Sequence, residues 1–401
     1  MARADVAGRI AAWNRGRDPE RLSLKYQAMQ ASAFGFFRGS AHLFWDTLPR
    51  DARLARSPVV WSCGDLHLAN FGVYKGESRL VYFDLNDFDE AALAPAAYDL
   101  VRLAASVLVA GEGLEISKAE ARSLCNALLG RYAAALAAGK ARWVERQTSR
   151  GLLRELFDAV EGRSRGAFIA ERIDTAGGGT KLRIDGRRTL PASASDREAA
   201  VGLISRFGRK SATPAFFPVL DVARRVSGIA SLGLQRYVVL VKGRGGPAGH
   251  YLLDLKQAAP SSLAARVRIA QPSWPSEAAR IVTAQQRVQA SEPALLAALE
   301  LGTRSYVLKE LQPTQDRVDI ERYRSKPKRL AMMLDSIADA VAWGHLRASG
   351  RGGSATADAL EAFGRDDRWR EAVMTAAREM RDATLAQWRQ FRAAGDVQSL
   401  V

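Results

Sequence analysis

Residues Val59–Ala104 read VVWSCGDLHLANFGVYKGESRLVYFDLNDFDEAALAPAAYDLVRLA. Asp65, His67 and Asn70 share one short loop behind an apolar run, and Asp84, Asp87 and Asp89 follow a second apolar run, Leu80–Phe83. The pattern predicts strand, polar loop, strand, acidic cluster, then a helix starting near Tyr98. Carboxylates and an Asn gathered at strand ends suit a hard cation, since Mg²⁺ takes oxygen ligands from one or two carboxylates plus substrate phosphates. A further carboxylate nearby can accept a proton from a substrate hydroxyl. Turns and helix caps also use Asp, which accounts for one or two of these acids but not for the whole set. The stretch reads as a phosphoryl-transfer site.

Outward from it, 401 residues suffice for two lobes or one large domain with additions. With 47% hydrophobic and 25% charged residues the chain can build a full core. Two cysteines, Cys63 and Cys125, give no disulfide framework, and with only four histidines they leave little for a structural zinc site. The N-terminal residues lack a signal-peptide core, and no run reaches the ~18 apolar residues of a membrane span. The expected location is the cytoplasm. A net charge of +16 and a pI near 10.2 favour anionic partners such as nucleotides, phosphorylated substrates, nucleic acid or acidic lipid. The excess is mostly Arg spread through helices, which a GC-rich genome would also produce.

Residues 1–57 read as helices, with a break at Phe34–Gly39 and Lys25, Arg38 and His42 near it. That break is either a packed helix corner or a basic wall beside the acidic site. Ser117 with Glu120 marks a capping box for a helix with Leu124, Leu128 and Tyr132 on one face, and helix continues to about Glu161. Residues 162–200, with Gly177–Gly179, a turn at Asp185-Gly186 and a Pro/Ala/Ser run, read as a connector with room for a small hairpin. Val222–Ser261 reads as three strands, the first turn being Gly228-Ile-Ala230-Ser231-Leu-Gly233. Small residues let backbone N–H groups approach phosphates closely, though a tight hairpin uses them too. Lys256, inside the third strand, calls for an anionic partner, because an unpaired buried charge is costly. Residues 274–300 read as a helix and Arg304–Leu311 as a strand ending at Pro313. Leu330, Leu334, Ile337, Val341 and His345 share one face of a helix, and a last amphipathic helix carries Trp369 and Trp388. There is no internal repeat.

Gly64-Asp65-Leu66-His67-x-x-Asn70 resembles the catalytic loop of aminoglycoside phosphotransferases and choline kinases, the small-molecule branch of the protein-kinase-like fold. The acidic cluster resembles their metal-binding Asp, and Tyr98-Asp99-Leu100 the Asp that buttresses the catalytic loop. The Gly loop and Lys256 resemble the nucleotide-binding lobe, and Arg304–Leu311 its last strand entering the hinge. In those kinases the Gly loop precedes the catalytic loop, whereas here it follows by over 160 residues, and Ala340–His345 resembles the helix that ordinarily comes just before the catalytic loop. The order is that of a circular permutation, which surface termini tolerate. Nearly the whole chain also resembles the bacterial family catalogued as domain of unknown function 2252, through Phe37-Arg38-Gly39, GDLHLANFG, FDLNDFDEA, the Gly-loop segment and LKQA.

The resemblance implies an α+β, two-lobed, circularly permuted kinase-like fold with extra N- and C-terminal helices. Residues 1–200 would hold the catalytic lobe, 201–312 the nucleotide lobe, and 313–401 the helices that complete the catalytic lobe. It implies ATP and Mg²⁺ as cofactors and a phosphate acceptor it does not name. Asp65 would be the general base, with His67 ordering the loop. Asn70 and either Asp84 or Asp87 would hold Mg²⁺: Asp84 closes the strand, whereas Asp87 is better spaced from Asp99. Lys256, Glu310 and the backbone at Gly228, Ala230, Ser231 and Gly233 would hold the nucleotide. Cys63 stands where a His is usual, Ala230 replaces a loop glycine, and the Glu that should pair with Lys256 is missing, Glu277 and Gln285 being substitutes. A nucleotide-binding pseudokinase and a metal-dependent phosphoester hydrolase remain as alternatives. Nucleic-acid binding has no recognisable motif behind it.

Overall fold

The computed structural model describes residues 5–175 and 179–395, so Gly177 and Gly178 of the glycine run lie outside the described residues. The opening stretch forms two small antiparallel ladders. β1 (Val59–Ser62) pairs with β4 (Ala92–Pro95), and β2 (Phe71–Lys75) pairs with β3 (Val81–Leu85). The 46-residue reading therefore holds in outline, with the following helix at Ala96–Ala110.

The chain is mixed α and β. A two-residue hairpin, β5 (Ile173–Asp174) with β6 (Lys181–Leu182), precedes a six-stranded antiparallel sheet. Its strands are β7 (Thr189–Pro191), β8 (Val219–Arg225), β9 (Arg236–Val241), β10 (Tyr251–Gln257), β11 (Ala297–Leu301) and β12 (Arg304–Glu310). Their spatial order is β11-β12-β10-β9-β8-β7.

Side chains alternate across a strand, and this sorts β10 into two roles. Tyr251, Leu253 and Leu255 join the apolar core under the helix Ala194–Lys210, with Leu203, Ile204, Val239 and Val241. Asp254 and Lys256 therefore fall on the other face, where Lys256 is paired in register with Arg236 and Val307. That face looks toward the helical part of the molecule.

The helical core surrounds Ala96–Ala110, whose side chains are almost all buried. Helix Lys118–Ala137 starts with the expected Ser117/Glu120 capping box and packs against Pro327–Arg347, while Arg368–Ala393 lies along Ala96–Ala110. Among the described residues no helix is long and apolar enough to cross a membrane.

Three expectations needed correction. The helix expected over 274–300 is Glu277–Val288, because Pro293 and a positive-φ Leu295 (φ 64) turn the chain, and Ala297–Leu301 then pairs with β12. Ala- and Leu-rich residues read as helix until a neighbouring strand offers its edge. The expected connector carries helix Arg165–Ala170, the β5–β6 hairpin, β7 and the start of Ala194–Lys210, capped by Ser193. The sheet thus begins before residue 201. The break near Phe34 is displaced: Ala33–Gly39 is helical, and the chain bends at Ser32 and Ser40 on either side.

Candidate functional site

The loop after β1 is held from beneath by Asp99. This buried carboxylate accepts the Ser62 hydroxyl at 2.6 Å and the backbone N–H groups of Cys63 at 3.1 Å and Gly64 at 3.2 Å. His345 Nε2 lies 3.5 Å from Asp99, and its Nδ1 lies 2.8 Å from the Tyr132 hydroxyl. Donors converging on one carboxylate fix the loop strongly. Gly64 is required here: it has φ +77, and a Cβ would stand 2.0 Å from the Glu90 carbonyl.

Asp65 is clamped by an arginine. Its Oδ1 accepts Arg102 Nε at 2.9 Å and Nη2 at 2.7 Å, a fork whose plane stacks over Phe37 at 3.7 Å and Phe44 at 4.5 Å. Burial pushes the Asp65 carboxyl up from its ordinary value, and Arg102 opposes that shift. His67 Nδ1 accepts the Ala69 N–H at 3.1 Å, and Nε2 is 3.9 Å from Asp65 Oδ2. Burial, with Arg38 and Arg102 close by, holds His67 well below the usual imidazole value, so its ring is neutral.

Asn70 joins the loop to the acidic segment. Its Nδ2 donates to the Asp65 carbonyl at 3.0 Å and to the Asp87 carbonyl at 3.2 Å. Its Oδ1 is buried and, among the described residues, has no hydrogen-bond partner. An unpaired buried oxygen is expensive, and this one is held beside Asp87.

Lys256 reaches down from the sheet onto the same acids, 2.5 Å from Asp89 Oδ2 and 3.3 Å from Asp87 Oδ1. Burial would raise both carboxyls. For Asp87, Lys256, Arg317 and Lys309 overcome this and hold it well below the usual range. Asp89 is raised, with the Asp87 charge adding to burial. The helix Glu277–Val288 supplies no carboxylate to Lys256: Glu277 pairs with Arg280 at 2.7 Å, and Gln285 is buried with Nε2 unpartnered among the described residues.

Asp84 and Glu310 lie elsewhere. Asp84 accepts the backbone N–H of Leu85 and of Ala290, each at 2.9 Å. Glu310 pairs with Arg79 and lies 3.8 Å from Arg165. The Gly loop joins β8 to β9, with Gly228 at φ +80 and Gly233 at φ +93. It is fastened to the N-terminal helices: the Ala230 carbonyl accepts Lys25 Nζ at 2.9 Å and Arg17 Nη1 at 3.2 Å, and the Gly233 carbonyl accepts the Asp18 N–H. Ala230, Ser231, Asp65, Asp87 and Asp89 line one cavity of about 40 Å³, enough for a few waters.

Over residues 17–394 the chain matches the family described as "Uncharacterized protein conserved in bacteria (DUF2252)". The chain belongs to this family. No curated protein and no solved structure matches it. The matched span of this DUF2252 chain includes every residue of the site just described.

Sequence reasoning missed several members. Arg102 falls three residues after Asp99 in an otherwise apolar helix, a signal that a buried anion was near. Asp254, two residues before Lys256, is paired with Arg236 at 2.5 Å and Arg225 at 2.8 Å. A carboxylate inside an apolar strand carries the same warning. Lys309, whose ammonium burial brings down to about 8, completes that charged face. Arg317 had no signal, since it sits in a turn remote in sequence. Among the described residues, no three His, Cys, Asp or Glu side chains form a metal cluster. Asn70 Oδ1 and the Asp87 carboxylate are the oxygens here that could serve a cation taking its remaining ligands from phosphates and water.

Proposed function

We propose that this protein is an ATP- and Mg²⁺-dependent phosphotransferase of the protein-kinase-like kind, acting on a small-molecule or protein hydroxyl. The observation that carries the reading is Asn70: its amide nitrogen is spent on the Asp65 and Asp87 carbonyls, and its oxygen is left buried and unpaired beside Asp87. With the donor end used up, the free oxygen is an acceptor that a hard cation can take.

In this reading Asn70 Oδ1 and Asp87 hold Mg²⁺, which neutralises charge on the phosphates when bound. Lys256 exchanges Asp87 and Asp89 for phosphate oxygens. Asp65, aimed by Arg102, accepts the proton of the attacking hydroxyl, and its raised carboxyl suits a base better than an ordinary aspartate would. Asp99 fixes the loop that carries both. Because little covalent work falls to the protein, these are positioning and electrostatic roles.

The permuted order is supported by packing. Helix Pro327–Arg347 comes late in the chain, yet His345 stands against Asp99 under the loop that begins at Cys63. A second reading, a nucleotide-binding pseudokinase, is favoured by Lys256, which has acids of the metal site for partners and no helix carboxylate.

Calorimetric titration of ATP with and without Mg²⁺, on wild type, Lys256→Ala and Asp87→Ala, tests the reading. Mg²⁺-dependent binding weakened by both substitutions supports it. Absence of nucleotide binding in wild type sinks it, and binding indifferent to Mg²⁺ favours the pseudokinase.

A further inference from the structure

Two arginines near the acids feel the charge of Asp87 but make no direct ion pair among the described residues. Arg38 leaves the helix Ala33–Gly39, and Arg317 follows the turn after Pro313. Both line a groove of about 780 Å³ that also takes in Ser227, Gly228, Phe34 and Ala69. The Nε atoms of both are buried without a hydrogen-bond partner, and among the described residues neither guanidinium makes an ion pair.

The nearby carboxylates are already committed. Asp65 is forked by Arg102, and Asp87 faces Lys256. Of the acids on the groove's rim, Asp319 caps the Glu321 N–H at 3.2 Å, and Glu321 lies 3.5 Å from Arg324. Arg38 and Arg317 also oppose each other: burial and the Arg317 charge bring Arg38 down to about 10. Two partly buried like charges whose nearest acids are engaged by other cations leave guanidinium hydrogen-bonding capacity that an anionic ligand can use.

We infer that Arg38 and Arg317 form an anion site for a phosphate group entering the groove beside Gly228. A guanidinium fork matches phosphate oxygens two at a time, and the groove is of the size that takes small molecules. The phosphate comes either from the nucleotide of the proposed reaction or from a phosphorylated acceptor. The inference rests on the transferase reading only for that choice.

Pyrophosphate is the probe, titrated by calorimetry into wild type, Arg38→Gln, Arg317→Gln and Arg38→Lys, with melting temperatures recorded for each. Each Gln variant should bind pyrophosphate at least tenfold more weakly, and Arg38→Lys should fall between. The surface variant Arg165→Gln, which changes net charge equally, should stay within twofold of wild type. No pyrophosphate binding by wild type, or folded Gln variants within twofold of it, overturns the site. ATP displacing pyrophosphate assigns the phosphate to the nucleotide, and simultaneous binding assigns it to an acceptor. Arginine-dependent pyrophosphate binding without any ATP binding keeps the site and removes the transferase reading. Mg²⁺-dependent ATP binding by wild type, with pyrophosphate binding absent or indifferent to both Gln substitutions, does the reverse.

Discussion

Lys256 stands 2.5 Å from Asp89 and 3.3 Å from Asp87, so one ammonium from the sheet holds two carboxylates of the helical part together. Lys256→Met leaves those acids facing each other. The expected loss of stability is about 2 kcal/mol, below the range for fully buried pairs because both acids are partly exposed. Asp89→Asn added to Lys256→Met should recover part of it without restoring nucleotide binding. Urea denaturation of the three proteins checks this, and a Lys256→Met protein as stable as wild type would refute it.

Asp84 and Asp87 should separate cleanly. Asp84 serves two backbone N–H groups, so Asp84→Asn should cost roughly 1–2 kcal/mol of stability and leave Mg²⁺-dependent nucleotide binding intact. Asn70→Ala and Asp87→Asn should abolish the Mg²⁺ dependence. Parallel titrations and melts decide it, and loss of Mg²⁺ dependence in folded Asp84→Asn would reverse the assignment.

Asp65→Asn should reduce phosphoryl transfer by about 10²–10⁴-fold, the usual share of a positioned base. Since burial raises the Asp65 carboxyl, the acidic limb of the wild-type pH–rate profile should lie above the ordinary aspartate range, with activity lost as pH falls through it. A profile flat through that region, or one unchanged in Asp65→Asn, would remove Asp65 from the role.

His42 is buried against Trp13, their rings 4.9 Å apart, and burial, reinforced by Lys25 and Arg9, brings it down to about 3. The unfolded chain binds a proton near pH 6.5 that the folded chain refuses until about 3. Stability therefore falls as pH drops below 6.5, by about 2 kcal/mol at pH 5 from this group. His42→Phe should flatten that part of the curve. An unchanged pH dependence of melting between 7 and 5 would refute it.

Much of the site was legible because it is local. Asp65, Asn70 and Asp87 lie within 23 residues, and Asp99, twelve residues further on, carried its own helical context. What escaped was set by tertiary pairing. Nothing in Ala297–Leu301 alone separates helix from strand until β12 lies beside it, and Ser193 hid its cap in a run that reads as linker. Asp84 and Asp87 look alike in sequence. They differ because backbone N–H groups of Leu85 and Ala290 surround one, while the other faces Lys256. Of Lys25, Arg38 and His42, expected together as a corner or a wall, Lys25 and His42 line the small cavity with Asp65, Asp87 and Asp89, and Arg38 lines the groove beside Gly228. Lys25 fastens the Gly loop, and His42 packs on Trp13.

His345 standing on Asp99 also sets a schedule for synthesis. The loop beginning at Cys63 leaves the ribosome early, but His345, on the helix that backs it, emerges about 280 residues later. At ordinary elongation rates of ~5–20 residues per second, the apolar bed of that loop stays uncovered for tens of seconds. A nascent chain in that interval is a natural client for chaperones, and a message cut short before this helix would yield a product whose loop at Cys63 lacks its backing.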